Sequence, residues 1–285
     1  MLSTSDTKPC GPARAQACQI VSGGLRARLW RLLRMKHPII RLYALSTYAV
    51  FLATQVYFIG FVAGWGVPKG IDDGPSTPPV LAVAIDVGLG LFFGLAHSVM
   101  ARASFKRVWT KIVPPAAERS TYVLVASAQL ALLCWQWRPI GSLQLWATTG
   151  TLALVVTALQ AAGWGTALLS TFFIDHFELF GLRQGMGSSP AKPVLRTPGF
   201  YRWTRHPLYF GMLLAFWSAP TMSAGHFLFA TLFTAYILIG VRHEERDLVR
   251  VFGDEYRRYQ ARVPMLLPLP RRASRSRFAG VYVSR

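Results

Sequence analysis

Two short polar groups lie in the last third of the chain, on either side of a long apolar stretch. The first is Arg205-His206-Pro207 and the second is Glu244-Glu245. Guanidinium and imidazole groups bind carboxylates, especially beside the first turn of a helix, where a proline such as Pro207 is common. Carboxylates and aromatic rings bind cations. A bare membrane anchor has no need for such a pair of groups, which makes these residues candidates for chemistry.

The apolar stretch predicts how the two groups meet. Residues 208–240 contain no charged side chain, and this length exceeds the roughly 20 residues that one helix needs to cross a bilayer. Its middle, Ala-Pro-Thr-Met-Ser-Ala-Gly at 219–225, is typical of a turn. The pattern predicts a helical hairpin with arms near 207–219 and 226–241, each only just long enough to cross. Because a hairpin returns the chain to the side where it entered, we expect the two polar groups to lie close together.

Further apolar segments predict an all-α polytopic membrane protein. Hydrophobic residues make up 52% of the chain and charged residues only 15%, and the mean hydropathy is +0.33, which argues against a disordered or soluble chain. Four spanning helices are predicted at 42–64, 80–101, 121–137 and 145–169. With the hairpin, this gives five to six membrane helices.

The basic residues predict the orientation. Lys and Arg number 31 and the net charge is +19. All but Lys69 and Arg138 fall in segments on one side of the predicted helices, a pattern that places both termini in the cytoplasm. The charge therefore indicates membrane topology rather than nucleic-acid binding. Leucines between Gly24 and Lys36 predict a helix lying on the inner membrane surface.

These patterns divide the chain into four regions. Residues 1–41 form a basic cytoplasmic segment, and 42–169 hold the four transmembrane helices. Residues 170–268 hold the two polar groups and include the hairpin at 207–241, and 269–285 form a basic tail.

The motifs of the third region resemble a known superfamily. R-H-P-x-Y-x-G at 205–211 is followed by E-E-x-x-L at 244–248, F-G-x-x-Y-x-x-Y at 252–259 and Val-Pro at 263–264. In order and spacing this resembles the isoprenylcysteine carboxyl methyltransferase superfamily, whose members are integral-membrane methyltransferases that use S-adenosylmethionine. F-F-G-x-x-H-S-x-M-A-R at 92–102 and D-H-F-E-L-F-G-L-R-Q at 175–184 resemble its NnrU-like branch. The fullest resemblance is to bacterial methanethiol S-methyltransferases, which convert methanethiol to dimethyl sulfide.

This resemblance implies S-adenosyl-L-methionine as cofactor, a small thiol as substrate and the lipid bilayer as surroundings. It also implies that residues 170–268 are the catalytic region, with a cytoplasmic cofactor-binding cap. The expected cofactor-binding residues are Gly199, Tyr201, Arg205, His206, Pro207, Tyr209, Gly211, Glu244, Glu245 and Tyr256. The expected substrate-binding residues are Asp175, Glu178, Arg183 and Gln184.

Methyl transfer to a thiol also calls for a base, because a thiol is mostly protonated at neutral pH. His97, His176 and Glu245 are the candidates. Each also has an ordinary explanation. His97 could be a helix-end histidine that is hydrogen-bonded to a neighbouring helix, His176 a polar residue at the membrane interface, and Glu245 part of a solvated helix end. No metal site is predicted, since the chain lacks His-x-x-x-His and Cys-x-x-Cys spacings.

Other functions stay open at this stage. The acceptor of the methyl group could be another small or lipidic thiol or carboxylate. The chain could instead be a non-enzymatic NnrU-like membrane component, or a transporter that uses Asp86 and His97 inside the second helix. A transporter is expected to show repeated halves, and no internal repeat is visible.

Overall fold

Helices make up most of the chain. The structure is a computed structural model that describes residues 12–187 and 194–268, with side chains from Pro38 onward. In chain order the elements are α1 (Pro12–Ala63), α2 (Pro79–Ala101), α3 (Ala103–Trp109), α4 (Glu118–Gln136), β1 (Gln144–Ala147), α5 (Gly150–Ile174), α6 (His176–Leu179), α7 (Leu182–Gly185), α8 (Pro207–Trp217), β2 (Thr221–Ser223), α9 (Ala224–Phe252) and α10 (Asp254–Arg262).

Four helical segments of the described chain are long and apolar enough to cross a membrane: Pro38–Ala63, Pro79–Ala101, Gly150–Ile174 and Ala224–Phe252. They correspond to the predicted first, second and fourth helices and to the second hairpin arm. The predicted third helix forms as α4, with 19 residues, but it is not one of these apolar segments. The first hairpin arm, α8, has 11 residues and extends only about 16 Å, roughly half of a hydrocarbon core.

The first helix is longer than predicted. Two separate elements are expected, a surface helix near 24–36 and a span from Leu42, whereas α1 runs from Pro12 to Ala63 as one helix with Pro38 inside it. The predicted contact of the 24–36 leucines with the membrane surface lies outside the described side chains. The predicted basic tail at 269–285 also lies outside the described residues.

A small sheet corrects the predicted start of the fourth helix. The prediction that a helix begins at Leu145 is wrong, because residues 144–147 form the strand β1, which pairs antiparallel with β2. Gln144 lies opposite Ser223. The Thr148 amide then donates to the Pro220 carbonyl at 2.8 Å. Gly150 has a φ of +58°, so the chain turns there before the helix begins. The sheet ties the start of α5 to the turn of the hairpin, where sequence predicts only helices.

Close contact with α5 fixes α8. A Cβ atom added to Gly211 would lie 2.5 Å from the Ala167 nitrogen, and one added to Gly163 would lie 2.7 Å from the Gly211 carbonyl oxygen. Only glycines allow two helix backbones to approach this closely. Gln160 adds a hydrogen bond of 3.3 Å to the Ala215 carbonyl. The polar group at the start of α8 is therefore anchored on a membrane helix.

Candidate functional site

The segment before α8 pairs with the chain that follows α10. The Arg205 amide donates to the Pro264 carbonyl at 3.0 Å, and the His206 amide donates to the Met265 carbonyl at 3.2 Å. Pro207 begins α8, at a position where no N–H is needed for a helical hydrogen bond. These backbone contacts hold Arg205 and His206 at the open end of the hairpin.

Glu245 is the residue on which the polar groups converge. Its Oε1 accepts from Arg205 Nε at 2.5 Å, lies 3.2 Å from His206 Nε2 and accepts from the Tyr256 hydroxyl at 3.5 Å, while Oε2 accepts from Gln260 Nε2 at 3.0 Å. Arg205 is only 7% exposed and His206 only 5%. The predicted meeting of the two polar groups is confirmed, and Glu245 joins α8, α9 and α10.

Glu244 has a different environment from its neighbour. Its side chain is 46% exposed, and its Oε2 accepts from the Tyr209 hydroxyl at 3.1 Å. The same oxygen lies 3.9 Å from His206 Nδ1. Glu244 is therefore the more accessible carboxylate of the pair, whereas the oxygens of Glu245 are already surrounded by partners.

The last helix covers this cluster. Arg205 donates from one terminal nitrogen to two carbonyls at the end of α10, at 3.1 and 2.6 Å. Burial raises the pKa of Tyr259 to about 12 and also raises the pKa of Tyr256, so both phenols remain donors at neutral pH. Gln260 was missed by the sequence analysis, although it lies one helical turn after Tyr256, on the side that faces Glu245.

The two glycines of the predicted cofactor set have packing roles. A Cβ at Gly199 would lie 2.6 Å from the Phe173 ring, and Gly211 contacts α5 as described above. Tyr201 contributes its carbonyl, which accepts from the Tyr259 hydroxyl at 2.6 Å. These three residues help to position the site through backbone and ring contacts.

His97 lies in α2 among aromatic rings. Its Nε2 is 2.7 Å from the Tyr122 hydroxyl of α4, and Phe93 stacks on its ring at a centroid distance of 5.3 Å. The Tyr236 ring of α9 is 6.4 Å away. His97 Nδ1 is buried and has no hydrogen-bond partner in the described part of the chain. Tyr122 and Tyr236 could not be found from sequence because they lie in other apolar helices. The periodicity of an apolar helix does not specify which of its sides faces a neighbouring helix.

His176 is placed differently. Its Nε2 lies 2.7 Å from the Tyr48 hydroxyl and its Nδ1 lies 2.7 Å from the Thr171 hydroxyl. Phe172 stacks on the ring with a centroid distance of 4.2 Å, and burial lowers the pKa of this imidazole. With both nitrogens engaged, the geometry favours a structural link between α1 and α5 over the expected role as a base.

The expected substrate-binding residues bond mainly to their own segment. Asp175 pairs with Arg183 at 2.6 Å and accepts from the Glu178 amide at 3.1 Å. Gln184 accepts from the Arg119 amide at 3.1 Å, which attaches α7 to the start of α4. Within residues 38–187 and 194–268, no hydrogen bond or ion pair joins these side chains to Glu245. Their observed contacts are packing contacts, and substrate binding by these residues stays a prediction.

A cavity of about 470 Å³ opens between α9 and α10. Its positive side chains, Arg242, Arg246 and Arg250, recur every four residues and so share one face of α9. This face is turned away from Glu244, which lies two residues from Arg246. The cavity is lined by Arg242, Glu245, Arg246, Val249, Arg250 and Gln260.

Comparison with known proteins gives one family and several close relatives. Residues 120–263 match the family described as "Protein of unknown function (DUF1295)". The chain is 50% identical over 236 residues to the methanethiol S-methyltransferase of Pseudomonas deceptionensis, covering 81% of this chain and 90% of that protein. It is 47% identical over 254 residues to the methanethiol S-methyltransferase of Mycobacterium tuberculosis, covering 84% and 99%.

A third relative is methanethiol S-methyltransferase 1 of Bradyrhizobium diazoefficiens, 48% identical over 231 residues, with 80% of this chain and 81% of the relative covered. No solved structure matches the chain.

Proposed function

Because the chain belongs to the methanethiol S-methyltransferase family and to DUF1295, we propose that it transfers the methyl group of S-adenosylmethionine to methanethiol. The products are dimethyl sulfide and S-adenosylhomocysteine. The observation that carries this proposal is identity of 47% across 99% of a relative with that name. The four apolar helices make it an integral membrane protein. From the positive-inside pattern we infer a bacterial inner membrane, with the site and both termini in the cytoplasm.

The site suits such a methyl donor at its cationic end. Glu244 and Tyr209, joined at 3.1 Å, offer a carboxylate and an aromatic ring to the ammonium and sulfonium groups. The carboxylate of the donor has two partners beside them: His206, and the first-turn N–H groups of α8, which have no acceptor within the helix. Glu245, Arg205 and Tyr256 support this end of the site by holding α8, α9 and α10 together.

When bound, S-adenosylmethionine supplies a methyl carbon attached to a positively charged sulfur. Attack by a thiolate on that carbon neutralises charge, and water stabilises the separated ions more than the transition state. A site among membrane helices limits water and also admits a small apolar thiol from the bilayer. These properties favour the thiol over a water-soluble acceptor.

The proposal is tested by feeding methanethiol to cells that express the chain and assaying dimethyl sulfide in the headspace. We expect product from the wild-type chain and strongly reduced product from Glu244→Gln. The matched control is Asp247→Asn, which likewise replaces a carboxylate of α9 by its amide at an exposed residue that pairs with Arg250. Donor binding without dimethyl sulfide would indicate a different acceptor, such as a lipidic thiol or carboxylate.

A further inference from the structure

The structure contains two tyrosine–histidine pairs of equal length but unequal surroundings. Both His97–Tyr122 and His176–Tyr48 join Nε2 to a phenol oxygen at 2.7 Å. At His176 the second nitrogen is bonded to Thr171. At His97 the second nitrogen is buried and has no partner among the residues that the structure describes. Since buried polar atoms are usually satisfied, this unpaired imidazole nitrogen among aromatic rings is a candidate contact for another molecule.

The tautomer of His97 follows from which group donates in the pair. If Nε2 carries the proton and donates to the Tyr122 oxygen, Nδ1 keeps a free lone pair. Among the described residues, the titratable groups in contact with His97 are Tyr122 from α4 and Tyr236 from α9, and neither a carboxylate nor a cation is bonded to it. In that tautomer the described chain offers one neutral acceptor at this position.

One face of α9 forms a strip from Tyr236, beside His97, to Glu244, and has open space at Gly240. Tyr236, Gly240 and Glu244 are four residues apart and share one face of α9. A Cβ added to Gly240 would meet no atom within 4 Å. At one end of the strip, the Tyr236 ring packs against Gly94 of α2, where an added Cβ atom would lie 3.1 Å from the ring. At the other end, Glu244 accepts a hydrogen bond from the Tyr209 hydroxyl. There is thus room beside Gly240 for a small molecule between His97 and Glu244.

We propose that this strip is the acceptor site and that His97 is the base, taking the thiol proton on Nδ1 while Tyr122 positions the imidazole. This inference rests on the function proposed above. In the step, the S–H proton passes to Nδ1 and the sulfur lone pair forms a bond to the methyl carbon of the donor. The bond from that carbon to the sulfonium sulfur breaks, and its electrons remain on the donor sulfur. The imidazolium then returns the proton to water.

A comparison of two nucleophiles tests the role of His97. A selenol is much more acidic than a thiol and needs no base, so methaneselenol serves as a pre-ionised acceptor. His97→Gln is expected to lower kcat/KM for methanethiol by roughly 100-fold or more, and for methaneselenol by less than about tenfold. Calorimetry is expected to give unchanged affinity for S-adenosylhomocysteine. Equal losses with both nucleophiles would overturn the proposal.

The matched control is His176→Gln, which breaks the other tyrosine–histidine pair. Any loss it causes is expected to be equal for the thiol and the selenol. If His97→Gln fails to fold, Tyr122→Phe replaces it, with Tyr48→Phe as its control. A selective loss with the thiol in Tyr122→Phe supports a positioning role, and an equal loss with both acceptors contradicts it.

A measurement without turnover separates this proposal from the proposed function. Nitrogen-15 NMR of labelled histidine in the purified chain reports which ring nitrogen carries the proton. We expect His97 to be protonated on Nε2 alone in the wild type, and to become a mixture of tautomers in Tyr122→Phe. Protonation on Nδ1 in the wild type would overturn the assignment of the base, whether or not dimethyl sulfide is formed.

A substitution at Gly240 tests the acceptor site itself. Gly240→Leu fills the strip without meeting backbone, so we expect the KM for methanethiol to rise about tenfold or more while affinity for S-adenosylhomocysteine is kept. The control is Gly165→Leu, since a Cβ at Gly165 in α5 also meets nothing within 4 Å. An unchanged KM in Gly240→Leu would place the acceptor elsewhere.

Discussion

Adjacent glutamates at the end of the hairpin have separate tasks. Glu245 holds Arg205, a cation that is 7% exposed, and removing one member of a buried ion pair leaves the other charge uncompensated. Glu244 is 46% exposed along its side chain and has a single phenol donor. We expect Glu245 to determine the stability of the fold and Glu244 to determine the affinity for the methyl donor.

This division gives a prediction for two variants. Glu245→Gln is expected to lower the free energy of unfolding by about 3 kcal/mol, measured as a fall in Tm of the detergent-solubilised protein. Glu244→Gln is expected to keep the Tm and to weaken binding of S-adenosylhomocysteine in calorimetry by about tenfold or more. The reverse pattern, with Glu245→Gln stable and Glu244→Gln unstable, would contradict it.

The stability of the folded protein is expected to depend on pH through His176. Burial lowers the pKa of His176 in the folded protein, whereas an unfolded histidine titrates near pH 6.5. Below about pH 6.5 the unfolded state therefore binds a proton that the folded state resists, and stability falls as the pH decreases. We expect Tm between about pH 5 and 8 to fall less steeply in His176→Gln. Parallel curves for the two proteins would contradict this.

The meeting of Arg205-His206 with Glu244-Glu245 could be predicted from sequence because a hairpin returns the chain to one side of the membrane. The pairing of His97 with Tyr122 could not be predicted in this way. Charges specify the side and approximate depth of a residue, but the rotation of an apolar helix depends on packing that its sequence period does not resolve. For the same reason, His97 and His176 look alike in the sequence and differ in the structure.

At the scale of elements, the contact between α5 and α8 is the main support of the site. Gly163 and Gly211 let the two backbones touch, so an 11-residue helix that is too short to span keeps a fixed position. Sequence predicts the hairpin but not this contact, because single glycines in apolar helices have no distinct pattern. The strand at Gln144–Ala147 was missed because no charged residue separates it from the apolar run of α5, although Thr148, Thr149 and Gly150 lie between the two.

Alanine at two glycines of α5 tests this support. A Cβ on Gly163 would lie 2.6 Å from the Ala215 nitrogen, while one on Gly165 would meet nothing within 4 Å. Gly163→Ala is expected to cost about 1–3 kcal/mol through overpacking and to reduce donor binding by shifting α8. Gly165→Ala is expected to be neutral or to gain up to about 1 kcal/mol from helix propensity. Equal Tm values for the two variants would contradict the packing described here.

At the scale of the molecule, the charge distribution and the hairpin together place the chemistry at one membrane face. The donor residues lie at the start of α8, and β2 lies beyond the other end of that helix. Since 29 of the 31 basic residues belong to segments on one predicted side, the donor end is expected to face the cytoplasm, where S-adenosylmethionine is made.

Cysteine labelling in intact cells tests this orientation. In a background with Cys10 and Cys18 changed to serine, Ser142→Cys lies beside β1 and is expected to react with a membrane-impermeant maleimide from outside. Lys111→Cys, after α3, is expected to react only after lysis. Both positions are exposed in the structure, and Cys134 is buried. If only the Lys111→Cys variant were labelled in intact cells, the orientation of the chain would be the opposite of the one predicted.

Methyl transfer is tested most directly with the purified chain and S-adenosylmethionine that carries a trideuterated methyl group. With unlabelled methanethiol, we expect dimethyl sulfide that is three mass units heavier than the unlabelled compound, formed in a one-to-one ratio with S-adenosylhomocysteine. Dimethyl sulfide without the label, or no dimethyl sulfide from a folded protein that binds the donor, would contradict methyl transfer from S-adenosylmethionine to methanethiol.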